Sequence, residues 1–381
     1  METFVKTGKY LSDGEVRKLF TLHKQEKPWL YDTSNNATKQ AIKDACEAFW
    51  RFVSEKKKPG YVPYSKKQVA RAARLGFELT RYDMCCHPKF KRKGETKPKF
   101  YVDTDKIEFT GTHVKLEKIA DGLRKNRAKA NWVGLAETGR IPIGVDYVNP
   151  RIAFDGINWW ISVGVEQEVK AGYQETSGVG IDLGINKLAV VSDGTEYGNI
   201  NKAQKVRKLK KKQRRLQRIV SRKYLMNKEG NRYKKTCNII KSEKQLLKLN
   251  HRLNGIRHNH VHQATSEIAG RKPSFVCMEG LNVMGMMKNK HLAKAIQEQC
   301  LYEFARQMEY KCAWNGIEFV EAGRYFPSSK MCSHCGNVNK GLRLSDRTYV
   351  CGVCGLAIDR DCNASLNLKA YADKTVSKMA A

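Results

Sequence analysis

The chain lacks the features of a membrane or secreted protein. No run of 18 apolar residues occurs in its 381 residues, so the sequence predicts no membrane-spanning helix. The N-terminal stretch METFVKTGKYL has no apolar core of the kind that a secretory signal needs. Long repeats, low-complexity linkers and proline-rich spacers are also missing. We therefore expect a cytoplasmic protein built of ordinary folded domains.

Acidic residues are scarce. The chain has 71 Lys and Arg against 38 Asp and Glu, which gives a formal net charge of +33. A folded protein with so large an excess repels itself unless a polyanion is bound, and a strongly basic chain is the usual footprint of nucleic-acid binding. Composition therefore favours a nucleic-acid partner. A basic structural protein without catalytic activity, of the ribosomal or histone-like kind, is the alternative.

The deficit of acids is greatest between Glu196 and Glu229, where no Asp or Glu occurs. From Lys202 to Lys223, 12 of 22 residues are Lys or Arg, so phosphate contact explains the segment better than a solvated helix face does. Apolar residues that step by three and four predict a helix with one narrow stripe against a partner helix. The stripe comprises Val206, Leu209, Gln213, Leu216 and Val220, and the candidate phosphate contacts are Lys210, Lys211, Lys212, Arg214, Arg215 and Arg218.

Hydrophobic periodicity divides the chain into three kinds of structure. The spacing over 33–56 predicts an amphipathic helix capped at Ser34 or Asn36. Alternating segments from 97 to 170 predict a small, barrel-like β domain. Strands and helices alternate from about 178 onward, which predicts an α/β domain. Three tryptophans in the first two parts could stack on nucleic-acid bases, but core packing is the favoured interpretation; they are Trp50, Trp159 and Trp160.

Four of the cysteines form two pairs at metal-ligand spacing. Cys332 and Cys335 enclose two residues, as do Cys351 and Cys354, and 15 residues separate the pairs. This is the spacing of a zinc ribbon. A glycine follows each pair, which permits the tight turn that points backbone N–H groups at sulfur. Four thiolates leave no open coordination position, so we expect one structural zinc ion. Two coincidental pairs are the alternative.

Three acids stand where acids are costly. Asp182 lies inside an apolar strand, Glu279 ends another, and Asp361 follows the cysteine pairs. Singly, they could begin a turn, end a strand and cap a helix. Together, at the strand ends of one sheet, they would repel one another and raise their own pKa values. Such a group suits two Mg²⁺ ions, which activate water and stabilise the leaving oxygen of a phosphodiester. A basic chain with this trio is a candidate nuclease.

The order of these motifs resembles the TnpB (OrfB) family of insertion-sequence proteins and the small type V CRISPR effectors related to it. The resemblance is carried by DLGINKLAV, MEGL, CSHCG with CGVCG, and DRDCNAS. It implies an RNase H-like (RuvC) nuclease domain with an inserted zinc ribbon, preceded by a helical recognition segment and a β-rich wedge domain. The implied boundaries are 1–95 for the recognition segment, 96–176 for the wedge, 177–329 for the nuclease domain with its basic helices, 330–355 for the ribbon and 356–381 for the C-terminal nuclease segment.

The resemblance also implies a function. Such a protein is an RNA-guided DNA endonuclease of a transposon, which cuts target DNA beside a short adjacent motif through one magnesium-dependent RuvC site. Its partners are a guide RNA (an omega RNA) and target DNA, with one chain on one RNA in the nucleoid of a prokaryote. Asp182, Glu279 and Asp361 match the family's metal ligands; Asp361 is preferred to Asp359 because the ligand is the aspartate of Asp-x-Asn.

Three alternatives to this function stay open. They are a nuclease-inactive RNA-guided DNA-binding repressor, a compact type V CRISPR effector, and a transposase that joins DNA directly. The intact trio of acids opposes the first, and the zinc-interrupted order of motifs opposes the last. Family members also carry a wedge strand before the helix with which this chain opens, so the wedge would close differently, or the form would be shortened or split.

Overall fold

Two units make up the chain in the computed structural model, Met1–Gln167 and Glu168–Ala381. The structure describes residues 11–91, 96–117, 131–168, 177–230, 232–343 and 346–380. Within these ranges, no helix combines the length and the apolar character needed to cross a membrane.

The first unit opens with helices whose starts are set by serine caps. The Ser12 hydroxyl accepts a hydrogen bond from the Glu15 N–H, and Ser34 accepts one from the Ala37 N–H. The second of these caps confirms the predicted start of the helix over 33–56. The helices are α1 (Asp13–Glu26), α2 (Asn35–Lys56) and α3 (Lys66–Leu75), with 3-10 turns at Pro28–Asp32 and Arg81–Asp83.

The rest of the first unit is β-rich, as the alternating pattern predicts. Its strands are β1 (Lys99–Tyr101), β2 (Glu108–Phe109), β3 (His113–Lys115), β4 (Trp132–Gly134), β5 (Tyr147–Phe154) and β6 (Trp159–Val165). They form two three-stranded antiparallel sheets, ordered β1-β5-β6 and β2-β3-β4. A small core joins the residues of both sheets, with Phe109, Val114 and Ile152 at its centre. Over the described ranges neither sheet closes on itself, so a barrel is not observed.

The favoured interpretation of the tryptophans is wrong. Trp50, Trp159 and Trp160 are each at least half exposed, at 51%, 57% and 50%. The turn between β5 and β6 explains part of this, because the Trp160 Nε1–H donates a hydrogen bond of 2.6 Å to the Asp155 carboxylate outside the core. An amphipathic ring satisfies its polar edge in this way without being buried.

A five-stranded mixed sheet forms the centre of the second unit. Its strands are β7 (Val179–Leu183), β8 (Lys187–Val191), β9 (Glu196–Gly198), β12 (Phe275–Glu279) and β13 (Glu318–Ala322). Their order is β13-β12-β7-β8-β9. β7, β8 and β9 form an antiparallel meander, whereas β12 and β13 run parallel to β7. This order and these directions are those of an RNase H-like sheet, and the α/β prediction is confirmed.

Helices supply the long crossovers that parallel strands require. The helices of this unit are α4 (Gln204–Met226), α5 (Cys237–Gly270), α6 (Val283–Met286), α7 (Ala293–Gln299), α8 (Leu301–Asn315) and α9 (Arg360–Ala380). Smaller elements are a 3-10 turn at Ile200–Lys202, the hairpin β10 (Lys228–Glu229) with β11 (Arg232–Tyr233), and the ribbon hairpin β14 (Thr348–Val350) with β15 (Ala357–Asp359).

Both faces of the five-stranded sheet are covered. On one face Ile181 and Met278 pack in a core with Phe304 and Met308 of α8. On the other face Cys277 packs against Leu368 and Ala372 of α9. Strands buried on both faces read as continuous apolar runs, which is why an acid within such a run is conspicuous.

The stripe predicted along the basic segment is confirmed from Val206 to Leu216. Val206 of α4 is buried with Leu249 and Leu253 of α5, and Leu209 and Leu216 pack beside them. The polar member of the stripe, Gln213, donates a hydrogen bond of 2.7 Å from its Nε2 to Asn250 Oδ1. The pair α4 and α5 is therefore held by a narrow seam, and the wide remainder of α4 is free to carry charge.

Candidate functional site

Gly180 brings the last helix onto the sheet. A Cβ at this position would collide with the backbone of Ser365 and Lys369, so only glycine permits the approach. The close crossing of α9 over β7 sets the position of the first turn of α9, where Asp361 lies.

The register of the sheet places two acids on the face that α9 covers. Met278 lies opposite Ile181 in the parallel pair β12 and β7, and both point into the core on the other face. Successive side chains of a strand alternate between faces. Asp182 and Glu279, the next residues of the two strands, therefore both point toward α9 at the carboxyl ends of their strands.

Asp361 is fixed by the start of its helix. The Asp359 Oδ1 accepts hydrogen bonds from the N–H groups of Asp361 and Cys362, at 3.0 and 3.1 Å. Asp359 thus caps α9, while its other oxygen lies 3.6 Å from the Lys187 ammonium. Asp361 is free of this capping task, and its side chain is only 15% exposed.

The charges of two of the acids act on the third, Asp182. Burial raises the pKa of Asp182 well above its usual value, and the charges of Asp361 and Glu279 raise it further. Burial also raises the pKa of the Glu279 carboxyl. The Arg360 cation opposes the shift at Asp182, and its Nη2 lies 3.4 Å from Asp361 Oδ1. A cation among these groups would relieve their repulsion.

The acids form a looser group than a closed metal cage. Of the residues that the structure describes, only the four ribbon cysteines bring three or more ligand atoms within 4.8 Å of one another. The donor set of Asp182, Glu279 and Asp361 nevertheless fits a hard divalent cation, because Mg²⁺ takes carboxylate oxygens and keeps several of its waters. Water-bridged ligands do not require so short a spacing.

The four cysteines do form a closed cage. The Sγ atoms of Cys332 and Cys354 lie 3.6 Å apart, and those of Cys335 and Cys351 lie 3.5 Å apart. Zn–S bonds of about 2.3 Å in a tetrahedron place sulfurs about 3.8 Å apart, so the spacing fits one zinc ion.

The two cysteine turns of the ribbon have the same backbone geometry. The Gly336 N–H donates to the Cys332 carbonyl at 2.9 Å, and the Gly355 N–H donates to the Cys351 carbonyl at 3.1 Å. Both glycines adopt positive φ, 75° and 73°, as the turn requires. The N–H groups of Cys354 and Val353 lower the pKa of the Cys351 thiol to about 6, whereas burial and the neighbouring cysteines raise the pKa of the Cys354 thiol to about 12. Cys351 is thus the thiol that most readily supplies the thiolate that a metal needs.

The candidate phosphate contacts fall into two groups. Lys211, Lys212, Arg214, Arg215 and Arg218 are exposed on α4. Lys210 differs, because its ammonium pairs with Glu298 at 2.5 Å and is only 19% exposed. Arg214 and Arg218 also line a surface cavity of 360 Å³ together with Arg222. The sequence did not separate Lys210 from its neighbours, because its partner lies 88 residues away.

Two basic residues beside the acids were missed by sequence reasoning. Arg360 stands between the two aspartates of DRD, a position that could have drawn notice. Lys187 gives no local signal, since only the fold brings it to Glu196 at 2.7 Å and near Asp359.

Family models match two adjoining parts of the chain. The OrfB_IS605 model, described as a probable transposase, matches residues 161–290, and the model of the Cas12f1-like TNB domain matches residues 302–368. The first match spans β7, β12 and the basic helices; the second spans α8, the ribbon and the first turns of α9.

Curated relatives align with larger parts of the chain. A "Putative RNA-guided DNA endonuclease" of Streptomyces pristinaespiralis is 29% identical over 74% of this chain, which spans 65% of that relative's length. The "Putative RNA-guided DNA endonuclease InsQ" of Escherichia coli K12 is 26% identical over 95% of this chain and 81% of the relative.

Among solved structures, a CRISPR-Cas12f ternary complex overlaps 94% of this chain and 79% of its own, with 14% identity and a TM-score of 0.39. The adjoining model matches and the curated relatives agree with the motif order, so the predicted resemblance to the TnpB (OrfB) proteins of insertion sequences and to the Cas12f-type effectors is confirmed.

Proposed function

We propose that this chain is an RNA-guided endonuclease that cleaves target DNA beside a short adjacent motif. The observation that carries the proposal is the convergence of Asp182, Glu279 and Asp361 on one face of an RNase H-like sheet. Curated relatives bear the name of RNA-guided DNA endonucleases, and the basic surface of α4 suits a nucleic-acid partner. An inactive repressor would have no need to keep three mutually repelling acids together.

The three carboxylates are proposed to hold two Mg²⁺ ions. Bound there, the ions would supply an activated water and stabilise the leaving oxygen of the phosphodiester. The chain's own contribution is to fix the acids on two strands and one helix start, since ligands on regular elements are held more rigidly than ligands on loops. Arg360 moderates the local negative charge when no cation is present. One zinc ion, held by the four cysteines, has a structural role.

The partners follow from the same proposal. A guide RNA pairs with one DNA strand, while the protein reads shape and the adjacent motif. We assign residues 1–95 to recognition and 96–176 to a wedge domain that closes on the RNA scaffold; the nuclease parts are 177–329 and 356–381, with the ribbon at 330–355. One chain acts on one RNA at the chromosomal DNA of a prokaryotic cytoplasm.

The test is to sequence the RNA that copurifies with the chain from cells with its native locus, and to use that RNA in a cleavage assay with magnesium. We expect one abundant RNA with a constant scaffold and a guide end, and cleavage of matching DNA. Asp182→Ala or Glu279→Ala should abolish cleavage and keep RNA binding. A random RNA mixture removed by salt, or cleavage that survives in both variants, would overturn the proposal.

A further inference from the structure

Two buried asparagines fasten the ribbon to the helix that carries Asp361. Asn363 is fully buried and Asn367 is 2% exposed. The Asn363 Nδ2 donates to the Met331 carbonyl at 2.7 Å, and the Asn363 Oδ1 accepts from the Ser333 N–H at 3.0 Å. The two backbone groups flank Cys332, so Asn363 forms hydrogen bonds on both sides of the first cysteine of the zinc cage.

Asn367, one helical turn further along α9, forms hydrogen bonds to the same segment. Its Nδ2 donates to the Met331 carbonyl and to the Ser328 carbonyl, both at 2.7 Å. The Met331 carbonyl thus accepts twice, which uses both of its lone pairs. Side chains four residues apart lie on one face of a helix, so a single face of α9 contacts the segment 328–333 that leads into the ribbon.

The other end of the ribbon joins the same helix. Strand β14 pairs with β15, and β15 ends at Asp359, the cap of α9. The Arg360 N–H donates to the Arg347 carbonyl at 2.8 Å. The first turn of α9, with Asp361 in it, is therefore held by both ends of the ribbon, while Gly180 holds the next turn against the sheet.

Stability alone is a weak explanation for this arrangement. A buried carboxamide must satisfy both its donor and its acceptor, and two such groups side by side are costly unless the geometry is fixed. Apolar side chains in place of Asn363 and Asn367 would fill the interface without fixing the register between α9 and the segment around Cys332. The asparagines define one register between the Cys332 peptide and the helix, which is what a positional link requires.

We infer that Asn363 and Asn367 are positioning residues that couple the zinc ribbon to Asp361. With zinc bound, the Cys332 peptide is rigid, and the asparagines transmit this rigidity to the first turn of α9. Without zinc or without Asn363, Asp361 loses its fixed place beside Asp182 and Glu279. The inference rests on the proposed function in one respect, since it takes Asp361 as a ligand of the nuclease centre.

The test compares four forms of the full chain, each with its guide RNA: wild type, Asn363→Ala, Asn363→Asp and Ser365→Ala. Asn363→Asp keeps the acceptor for Ser333 but turns a carboxylate oxygen toward the Met331 carbonyl. Ser365→Ala is the matched control, because Ser365 is equally buried on α9 and its hydroxyl donates within the helix, to the Cys362 carbonyl at 2.8 Å, and to no ribbon residue that the structure describes. Asn367→Ala is the milder variant if Asn363→Ala fails to fold.

Three quantities are measured: the single-turnover cleavage rate against Mg²⁺ concentration, target binding, and the rate of zinc release to a coloured chelator. Both Asn363 variants should lower the cleavage rate about 10- to 100-fold, as losses of supporting residues around metal ligands do. They should raise the Mg²⁺ requirement, speed zinc release several-fold and leave target binding within about twofold of wild type. Ser365→Ala should leave all three near wild type.

Zinc removal completes the cycle. Stripping zinc from wild type should cause the same loss of cleavage, and stripping it from Asn363→Ala should cause little more, because the two changes break one link. The inference would be overturned if Asn363→Ala cleaved DNA and released zinc at the wild-type rates. It would also be overturned if the fold-losses of cleavage from zinc removal and from Asn363→Ala multiplied independently.

A wild type that never cleaves would refute the proposed function instead. The link would then be decided without cleavage, by Mn²⁺ titration of the same forms. Equal weakening of Mn²⁺ binding by zinc removal and by Asn363→Ala would support it, and unchanged binding would refute it.

Discussion

Gly180 shows how much one missing side chain decides. It has no room for a Cβ, because the backbone of Ser365 and Lys369 occupies that space. We predict that Gly180→Ala pushes α9 off the sheet, lowers the free energy of unfolding by about 3 kcal/mol and reduces cleavage. Denaturant unfolding measures the first effect.

Gly198 on β9 provides the control for that substitution. Nothing lies within 4 Å of its Cβ position, so Gly198→Ala should change the free energy of unfolding by no more than about 1 kcal/mol. Equal effects of the two substitutions would show that α9 does not depend on the close approach at Gly180.

Asp182 is predicted to destabilise the metal-free protein at neutral pH. Its pKa is raised in the folded chain, so the folded state binds more protons than the unfolded state above the ordinary Asp pKa. The free energy of unfolding then falls as pH rises from that ordinary value through the raised one. Asp182→Asn should therefore be more stable than wild type at pH 7 without divalent cations, and the advantage should vanish in acid. Unfolding at several pH values measures this.

Asp193 gives the opposite sign. Burial opposes the shift, but the Thr195 N–H and hydroxyl and the Arg271 guanidinium lower the pKa of its carboxyl. Asp193→Asn should therefore be less stable than wild type at pH 7, and this advantage of wild type should be lost as pH falls through the lowered pKa.

Added Mg²⁺ should stabilise wild type and leave Asp182→Asn almost unchanged. An Asp182→Asn variant that is less stable than wild type would contradict the raised pKa.

At the scale of elements, local signals were sufficient for most helices and strands. The cap at Ser34, the stripe on α4 and the alternation of β5 and β6 are all short-range patterns. The break between α7 and α8 at Cys300, whose φ is 56°, and the 21-residue length of α9 are different. Neither feature has a local cause in the sequence. The exposure of Trp159 likewise depends on what other segments cover.

Helix α4 carries exposed basic residues, which we propose to contact phosphate, and Lys210, which pairs within the fold. Lys211, Arg214 and Arg218 are exposed and spaced three and four residues apart, so they share a face. We predict that changing all three to Gln weakens RNA binding and reduces the slope of log affinity against log salt by about 2 to 3, because about 0.7 to 0.9 counterions are released per phosphate contact. A salt titration of RNA binding measures the slope.

Lys210→Gln is the matched control on the same helix. Lys210 pairs with Glu298, which Arg257 also contacts at 3.2 Å. The substitution should leave the salt slope unchanged and lower the free energy of unfolding by about 1 kcal/mol. The fall in slope caused by Lys210→Gln is compared with one third of the fall caused by the triple variant. Equal values would show that the exposed face is not the binding face.

At the scale of the whole molecule, the site depends on contacts between distant segments. Spacing alone indicated the zinc cage, because four cysteines at two short intervals are a local pattern. The pairing of Asp182 with Glu279 follows from sheet register, which the sequence does not specify across 97 residues of chain. The bonds of Asn363 to the peptide around Cys332 also follow only from the fold. For the acids, the sequence supplied only a resemblance to known motifs. Their placement, and the hydrogen bonds of Asn363, depend on how distant segments pack together.

The ribbon and the five-stranded sheet should respond differently to loss of zinc. Leaving 344–345 aside, the ribbon core has three buried residues, Cys332, Tyr349 and Cys351, too few to offset the entropy of ordering the segment without a metal. The sheet is buried on both faces and needs none. We predict that chelation removes amide protection from the ribbon and the first turn of α9 while β7 and β12 keep theirs, and that Cys351→Ser does the same. Hydrogen exchange and zinc analysis measure this, with the exposed Cys237→Ser as control. One zinc ion retained in Cys351→Ser, or equal loss of protection in the sheet, would show that the metal holds the molecule in another way.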